Sequence, residues 1–440
     1  MKDKYSQRLH SVIPGGAHTY SRGDDQYPDN APSILSRGEG AYVWDADGNK
    51  FLDYGMGLRS VNIGYGYKPI ADAAYQEILK GNNLTRASET ELFAAEKLCS
   101  LISSAEMVKF AKHGSTVTTA AVKLARAYTG KKLIAVCAEQ PFFSFDDWFI
   151  GSTVMNKGVP EEISSLTVKF NFNQIQTLQK LFDEHPGEIA CVIMEPCTTV
   201  APCASATQPG ENFLHEVQRL CHKHGVVFIL DEMISGFRWH LNGAQKYFNI
   251  TPDISTFGKA MANGFAVAAL TGKKEIMIIG GILEEGAERV FLTSTTHGAE
   301  MGTLGAFLKT MEILENENVI EHFWSYGKKL MDGFNSIATQ LGIENHFYFE
   351  GFPCSPSYTA KDKNGNASLA FRTLFSREMI KRKILMPWVA LCFMHKDSEL
   401  QMTLEKGREA LEVYKRALEE GPEKYLEGSN IIKPVFRKYN

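Results

Sequence analysis

Residues 225–232 read GVVFILDE, and the two acids that close this apolar run decide how the chain is read. Upstream, residues 189–196 read IACVIMEP, a second apolar run that also ends in an acid. Uninterrupted runs of this kind suit strands buried on both faces of a parallel sheet. Between them lies ENFLHEVQRLCHKHG, apolar at helical spacing and stopped by Gly. Strand, helix, strand at this spacing is a βαβ unit with a right-handed crossover. The middle of the chain is therefore expected to be an α/β domain built on a mainly parallel sheet. Its ligands belong at the carboxyl ends of the strands.

Further pieces extend the pattern. Residues 41–54, AYVWDADGNKFLDY, read as two strands around a turn at Asp47-Gly48. TELFAAEKLCSLIS (90–103) is a helix, VKF and LIAVCA are strands, and a helix starts near Ser115 or Thr116 and stops at Gly130. In the last third, residues 303–342 read as one long helix. HFYFEGF and PSYTAK then read as short strands, and FRTLFSREMIKRK and the charged stretch 397–420 as helices. That is the character of a smaller α+β domain.

Three pieces fall at the expected ligand end. His113-Gly114-Ser115-Thr116 opens a helix, where free N–H groups attract phosphate; a plain Ser/Thr cap is the ordinary alternative. Asp231 closes an apolar strand, which is costly unless the carboxylate meets a cation; a helix cap or structural ion pair is the alternative. Lys259 sits in STFGKAMANG (255–264) with no acid within five residues on either side. Most lysines of this kind lie on the surface, but dry surroundings lower an amine's pKa and make it a nucleophile. Phosphate cradle, buried acid and isolated lysine together describe pyridoxal 5'-phosphate, with Lys259 as the imine-forming amine and Asp231 on the pyridine nitrogen.

The 440 residues carry 47 basic and 51 acidic side chains, a net charge of -4, with no basic stretch for nucleic acid or a membrane surface. MKDKYSQRLHSVIPGG has no apolar signal core, and no uncharged run nears the roughly 20 residues of a membrane span, so the cytoplasm is the expected location. Eight scattered cysteines form no C-x-x-C pair and are expected to be free; no metal site is expected.

The chain resembles the class III aminotransferases, of the fold-type-I pyridoxal phosphate enzymes, and within them glutamate-1-semialdehyde aminomutase most. The resemblance runs from IPGGAHTYSR through GEGAYVWDADGNKFLDY, KLARAYTGKK, IMEP, LDEMISGFR and GAQKYFNITPDISTFGKAMANG to MHKDSEL. It implies a large α/β domain at 61–305 and a small α+β domain at 306–440, with segment 1–60 contributing to the small one. It makes Lys259 the Schiff-base lysine and proton shuttle, and Asp231 the partner of the ring nitrogen. Gly114 and Ser115, with Thr116 beside them, match the phosphate-binding Gly-Thr pair. Phe142 falls where the family stacks a Tyr on the ring, and Met233 where a Val covers the ring's back face. Thr295 matches the threonine that reaches the neighbouring subunit's phosphate, which implies a homodimer. Arg22 matches a carboxylate-binding arginine, an exposed loop arginine being the alternative. Glu195 in IMEP reads equally as an active-site acid or a strand-end residue.

Several departures bear on the reaction. The family's N-S-G-T-E-A is Lys112-His113-Gly114-Ser115-Thr116-Val117 here, and its S-G-N-P is His297-Gly298-Ala299-Glu300. The aminomutase's gating loop corresponds to GSTVMNKGVPEEISS, which is shorter and lacks the run of small residues; Arg86 replaces a small residue near the entrance. A weaker gate releases the diamine intermediate. The expectation is an aminotransferase for a small polar keto acid or keto sugar. The aminomutase is the alternative, and a non-catalytic binding protein of the same fold is the second.

Overall fold

The computed structural model describes residues 4–440; the first three residues of the N-terminal segment lie outside the described residues. The chain divides into two compact units, Met1–Tyr67 with Glu321–Arg437, and Lys68–Ile320 with Lys438–Asn440.

The second unit is built on a seven-stranded sheet. Its strands are β1 Met107–Ala111, β2 Leu133–Cys137, β3 Thr167–Phe170, β4 Ile189–Met194, β5 Val227–Asp231, β6 Ile254–Phe257 and β7 Ala268–Gly272. Their spatial order is β1-β7-β6-β5-β4-β2-β3. Neighbours are parallel except at β7, which runs antiparallel to both β1 and β6. The two apolar runs form the centre: every residue of β4 and β5 is buried. Full burial of such side chains contributes roughly 1.5–3 kcal/mol each, enough to carry a few buried acids at the strand ends.

Two helices stop at the glycines the sequence marks, Gly130 and Gly225. Helix α1, Gly114–Thr129, ends at Gly130 with φ +68 and its N–H on the Arg126 carbonyl. Helix α2, Phe213–His224, starts at Asn212, whose Oδ1 accepts the Leu214 N–H at 2.9 Å. The long helix read over 303–342 is two, α3 Met301–Asn316 and α4 Val319–Leu341. The break falls in the run Glu315-Asn316-Glu317-Asn318, where Asn side chains compete with helical backbone bonds.

The first unit holds a four-stranded sheet of Leu35–Glu39, Tyr42–Asp45, Lys50–Asp53 and Ile384–Leu385, and a hairpin of Phe347–Phe352 with Ser355–Ala360. Tyr42–Asp45 and Lys50–Asp53 pair antiparallel around Asp47-Gly48. Just after them Met56, Gly57, Leu58 and Arg59 have φ of +41, +57, +62 and +68. Four successive left-handed residues, three with side chains, are held by Asp53. Its carboxylate accepts the Gly55 N–H at 2.7 Å, the Met56 N–H at 2.9 Å and the Tyr65 hydroxyl at 2.7 Å. Burial raises the Asp53 pKa, and those three donors oppose the rise.

The C-terminal tail straps the N-terminal segment within this unit. The Lys433 N–H bonds the Asp25 carbonyl at 2.9 Å, Asp29 N–H bonds Ser429 Oγ at 3.1 Å, and Arg437 pairs with Asp25 at 2.5 Å. None of the eight cysteines is in a disulfide, and six are buried. Among the described residues no helix is long and apolar enough to cross a membrane, and no side-chain cluster has the makings of a metal site.

Candidate active site

Asp231 is the last residue of β5 and Lys259 stands two residues beyond β6, the neighbouring parallel strand. Adjacent parallel strands carry their C-terminal residues to the same edge, so 28 residues of sequence separation become one strand spacing. Asp231 is 2% exposed. Its Oδ1 accepts the Met233 N–H at 2.9 Å and the Thr256 hydroxyl at 3.0 Å. Thr256 is the residue directly opposite Asp231 in the register. Both bonds fall on Oδ1, which leaves Oδ2 for a further partner. Burial pushes the Asp231 pKa up to about 6; the charge of Lys259, the Met233 N–H and the Thr256 hydroxyl pull the other way. Lys259 is half-buried and itself left-handed, with φ +32.

Glu232, the second acid of the run, points into structure instead. It is fully buried, accepts the Ala244 N–H, and accepts Gln245 Nε2 at 3.0 Å. Burial raises its pKa to about 7. The alternating faces of a strand end thus give the two acids different tasks.

The start of α1 is an open donor end. His113 is its N-cap residue but makes no capping bond with its side chain, which contacts Thr116 Oγ1 at 3.0 Å. The Ser/Thr cap, the ordinary alternative, is therefore absent; the Thr116 N–H bonds the His113 carbonyl at 3.2 Å, and no side chain caps the first turn of a 16-residue helix with its dipole behind it. Ser115 is buried and its Oγ accepts the Phe145 N–H at 3.1 Å.

Met233 brings these pieces together. A Cβ added at Gly114 would come 3.0 Å from Met233 Sδ, and one added at Gly258 only 2.3 Å. One sulfur thus lies against the helix start and against the residue before Lys259. A side chain at either glycine would require the Met233 thioether to shift.

The remaining candidates are placed as follows. Phe142 is 46% exposed, edge-on to Phe149 at 5.9 Å, while Phe143 is buried against the same ring at 5.6 Å. Thr118 Oγ1 donates to the Phe143 carbonyl at 2.8 Å and ties this loop to α1. Glu195 is 7% exposed at the end of β4. Gln140 grips its backbone with two bonds of 2.8 Å, one to the N–H and one to the carbonyl. Thr295 is exposed in the irregular segment before α3.

Arg22 belongs to the other unit. It is exposed on the wall of a cavity of about 810 Å³, together with Tyr27, Gly57, Leu58 and Trp388. The two acids that follow it in sequence are engaged elsewhere. Asp24 accepts the Ser6 hydroxyl at 2.5 Å and contacts His10 Nε2 at 3.1 Å, and Asp25 pairs with Arg437. Among the described residues neither acid pairs with the guanidinium.

Thr256, Gln140, Thr118 and the pair Lys112–Glu300 escaped the sequence reading. All four depend on contacts distant in sequence, Thr256 on the register between β5 and β6.

The family model described as aminotransferase class-III matches residues 24–345. The chain is 32% identical over 411 residues to a 3-aminobutyryl-CoA aminotransferase of Cloacimonas acidaminovorans, covering 92% of this chain and 95% of that one. It is 29% identical to a glutamate-1-semialdehyde 2,1-aminomutase of Sulfurihydrogenibium azorense, covering 87% and 92%. Its fold matches the FumI protein of Sphingopyxis sp. MTA144, solved in a pyridoxal phosphate internal aldimine form. The TM-score is 0.84 at 23% identity, over 96% of this chain and 98% of that one.

Proposed function

This chain belongs to the class III aminotransferases, and from that premise we propose that it moves an amino group to or from a small polar carbonyl compound, a keto acid or keto sugar, with pyridoxal 5'-phosphate held at the Asp231–Lys259 site. The observation that carries the reading is the meeting of an uncapped helix start, a buried carboxylate and a half-buried lysine around Met233. That donor set fits the cofactor's three ends. The N–H groups at Gly114 and Ser115, with Thr116 beside them, suit a phosphate dianion. Asp231 Oδ2 suits a protonated ring nitrogen, and Lys259 Nζ suits an aldehyde.

The bound cofactor supplies an electron sink and a carrier for the amino group. Asp231 would hold a proton on the ring nitrogen, and the Thr256 hydroxyl fixes the carboxylate for that task. Lys259 Nζ would hold the cofactor through its aldehyde and, as a neutral amine, would take and return the proton of the substrate carbon. The Met233 thioether would offer a polarisable surface to one face of the ring, and Phe142, half exposed, an aromatic one to the other. Arg22 binds a substrate carboxylate; Glu195, at the strand edge, borders the substrate.

A second reading, the aminomutase, is supported by the Sulfurihydrogenibium relative. The 3-aminobutyryl-CoA relative supports the two-substrate reaction. Glutamate semialdehyde supplied alone separates them: efficient formation of 5-aminolevulinate would overturn the preferred reading. A visible absorption band on adding the cofactor, lost in Lys259→Ala, tests the site itself.

The working form is a homodimer in which Thr295 serves the neighbouring subunit's phosphate. Tyr75, Leu79, Leu92 and Phe93, each more than half exposed, supply apolar surface for a second copy to cover. Light scattering reads the mass directly. The place of work is the cytoplasm.

A further inference from the structure

We propose that Glu300 is a positioning residue: its ion pair with Lys112 fixes the turn 295–300 against the end of β1, beside the open helix start that receives the cofactor phosphate. This rests on the cofactor reading above and adds residues that reading does not use. Lys112 follows the last residue of β1 and immediately precedes His113, the N-cap of α1. Glu300 is the N-cap residue of α3. Their side chains, 188 residues apart in sequence, form an ion pair. Glu300 Oε2 takes Lys112, and Oε1 takes His297 Nδ1 at 3.0 Å, so both carboxylate oxygens are engaged. Glu300 is 19% exposed.

The turn between the two charges is packed, not draped. A Cβ at Gly298 would lie 3.6 Å from the Phe110 carbonyl of β1 and 2.8 Å from Thr295 Oγ1. The turn's other side is held by the neck before the helix Glu89–Leu101. Asn83 Nδ2 donates to the Thr296 carbonyl at 3.0 Å, Met301 N–H bonds the Asn82 carbonyl at 2.8 Å, and Gly302 N–H bonds Asn82 Oδ1 at 3.0 Å. Lys112 and Glu300 both stand where this chain departs from the usual family residues. The structure makes the two departures one feature: a cation brought to the phosphate end is tethered by an anion brought to the turn. Lys112 is thus a strut and not a phosphate ligand, and it sets where Thr295 is presented.

The test is a charge swap, Lys112→Glu, Glu300→Lys and the two together, with Lys112→Arg and Glu300→Gln as milder changes. Two readouts are used: pyridoxal phosphate affinity of the apo-protein by absorbance titration, and hydrogen exchange across 294–300. Each reversal should weaken cofactor binding about three- to tenfold and speed exchange in the turn, as expected for a partly exposed pair turned repulsive. The double swap should return both within about twofold of the parent, as should Lys112→Arg. The proposal is overturned if the reversals bind and exchange like the parent. It is equally overturned if the double swap is no better than either single change. A parent protein that takes up no cofactor would instead sink the cofactor reading, while the exchange data still decide the strut.

Discussion

Asp231 carries its charge at a cost that a cation placed beside it would offset. In the unfolded chain its carboxyl titrates near 4; in the folded apo-protein it titrates at about 6. Between those values the folded state keeps a proton that the unfolded state has released. This contribution to stability is therefore full below pH 4, falls as pH rises towards 6, and stays lost above it. Asp231→Asn should make apo-protein unfolding in urea less sensitive to pH over that window. It should also stabilise the apo-protein at pH 7 by about 2–3 kcal/mol. The same variant should bind pyridoxal phosphate more weakly, because the cation on the ring loses its counter-charge. Apo-stability unchanged between pH 4 and 7 in the parent, with no gain in the variant, would contradict this account. The acid was legible in the sequence because it ends an apolar strand. The Thr256 hydroxyl that holds it was not, because reading a partner strand's register needs the sheet.

At the scale of elements, the site is an edge where β5, β6 and α1 meet, and Met233 marks how closely. Gly258→Ala would place a methyl 2.3 Å from Met233 Sδ, with Gly114 on the other side of that sulfur. The thioether has to move, so we expect a destabilisation of about 1–3 kcal/mol and a shifted cofactor absorption band. Met233→Val in the same chain should recover part of both, since it shortens the obstacle. Thermal unfolding and the spectrum of the holo-protein check the pair. Strands β2, β4 and β5 and most helix limits were readable because their signals are local, apolar runs and glycines at 130 and 225, whereas the short strands β3 and β6 were not. The reversed strand β7 was missed, since nothing in AALTG distinguishes its direction, and the break between α3 and α4 was missed because the polar run 315–318 carries neither Gly nor Pro.

For the whole molecule, the tail is the feature with reach. Residues 429–437 bond to the stretch that carries Asp25 and Asp29, and Arg437 neutralises an acid three residues from Arg22. Truncation after Gly428 frees Asp25 to compete for that guanidinium. We expect KM for a carboxylate-bearing substrate to rise about three- to tenfold with kcat nearly unchanged, the mark of lost uniform binding. Steady-state kinetics with a carboxylate substrate and an uncharged analogue would show it, the analogue being spared. None of this was visible in sequence, where the two ends of the unit stand about 400 residues apart.

The left-handed run Met56–Arg59 bears on how this chain tolerates change. Each side chain in that backbone region costs about 1–2 kcal/mol relative to glycine. Gly57 and Leu58 nonetheless line the cavity that holds Arg22. A randomised library at positions 56, 58 and 59, selected for folding alone, should drift to glycine and asparagine. Selected for turnover, it should keep bulk wherever a side chain earns its place against the substrate. The gap between the two pools would map the acceptor's shape before any acceptor is known.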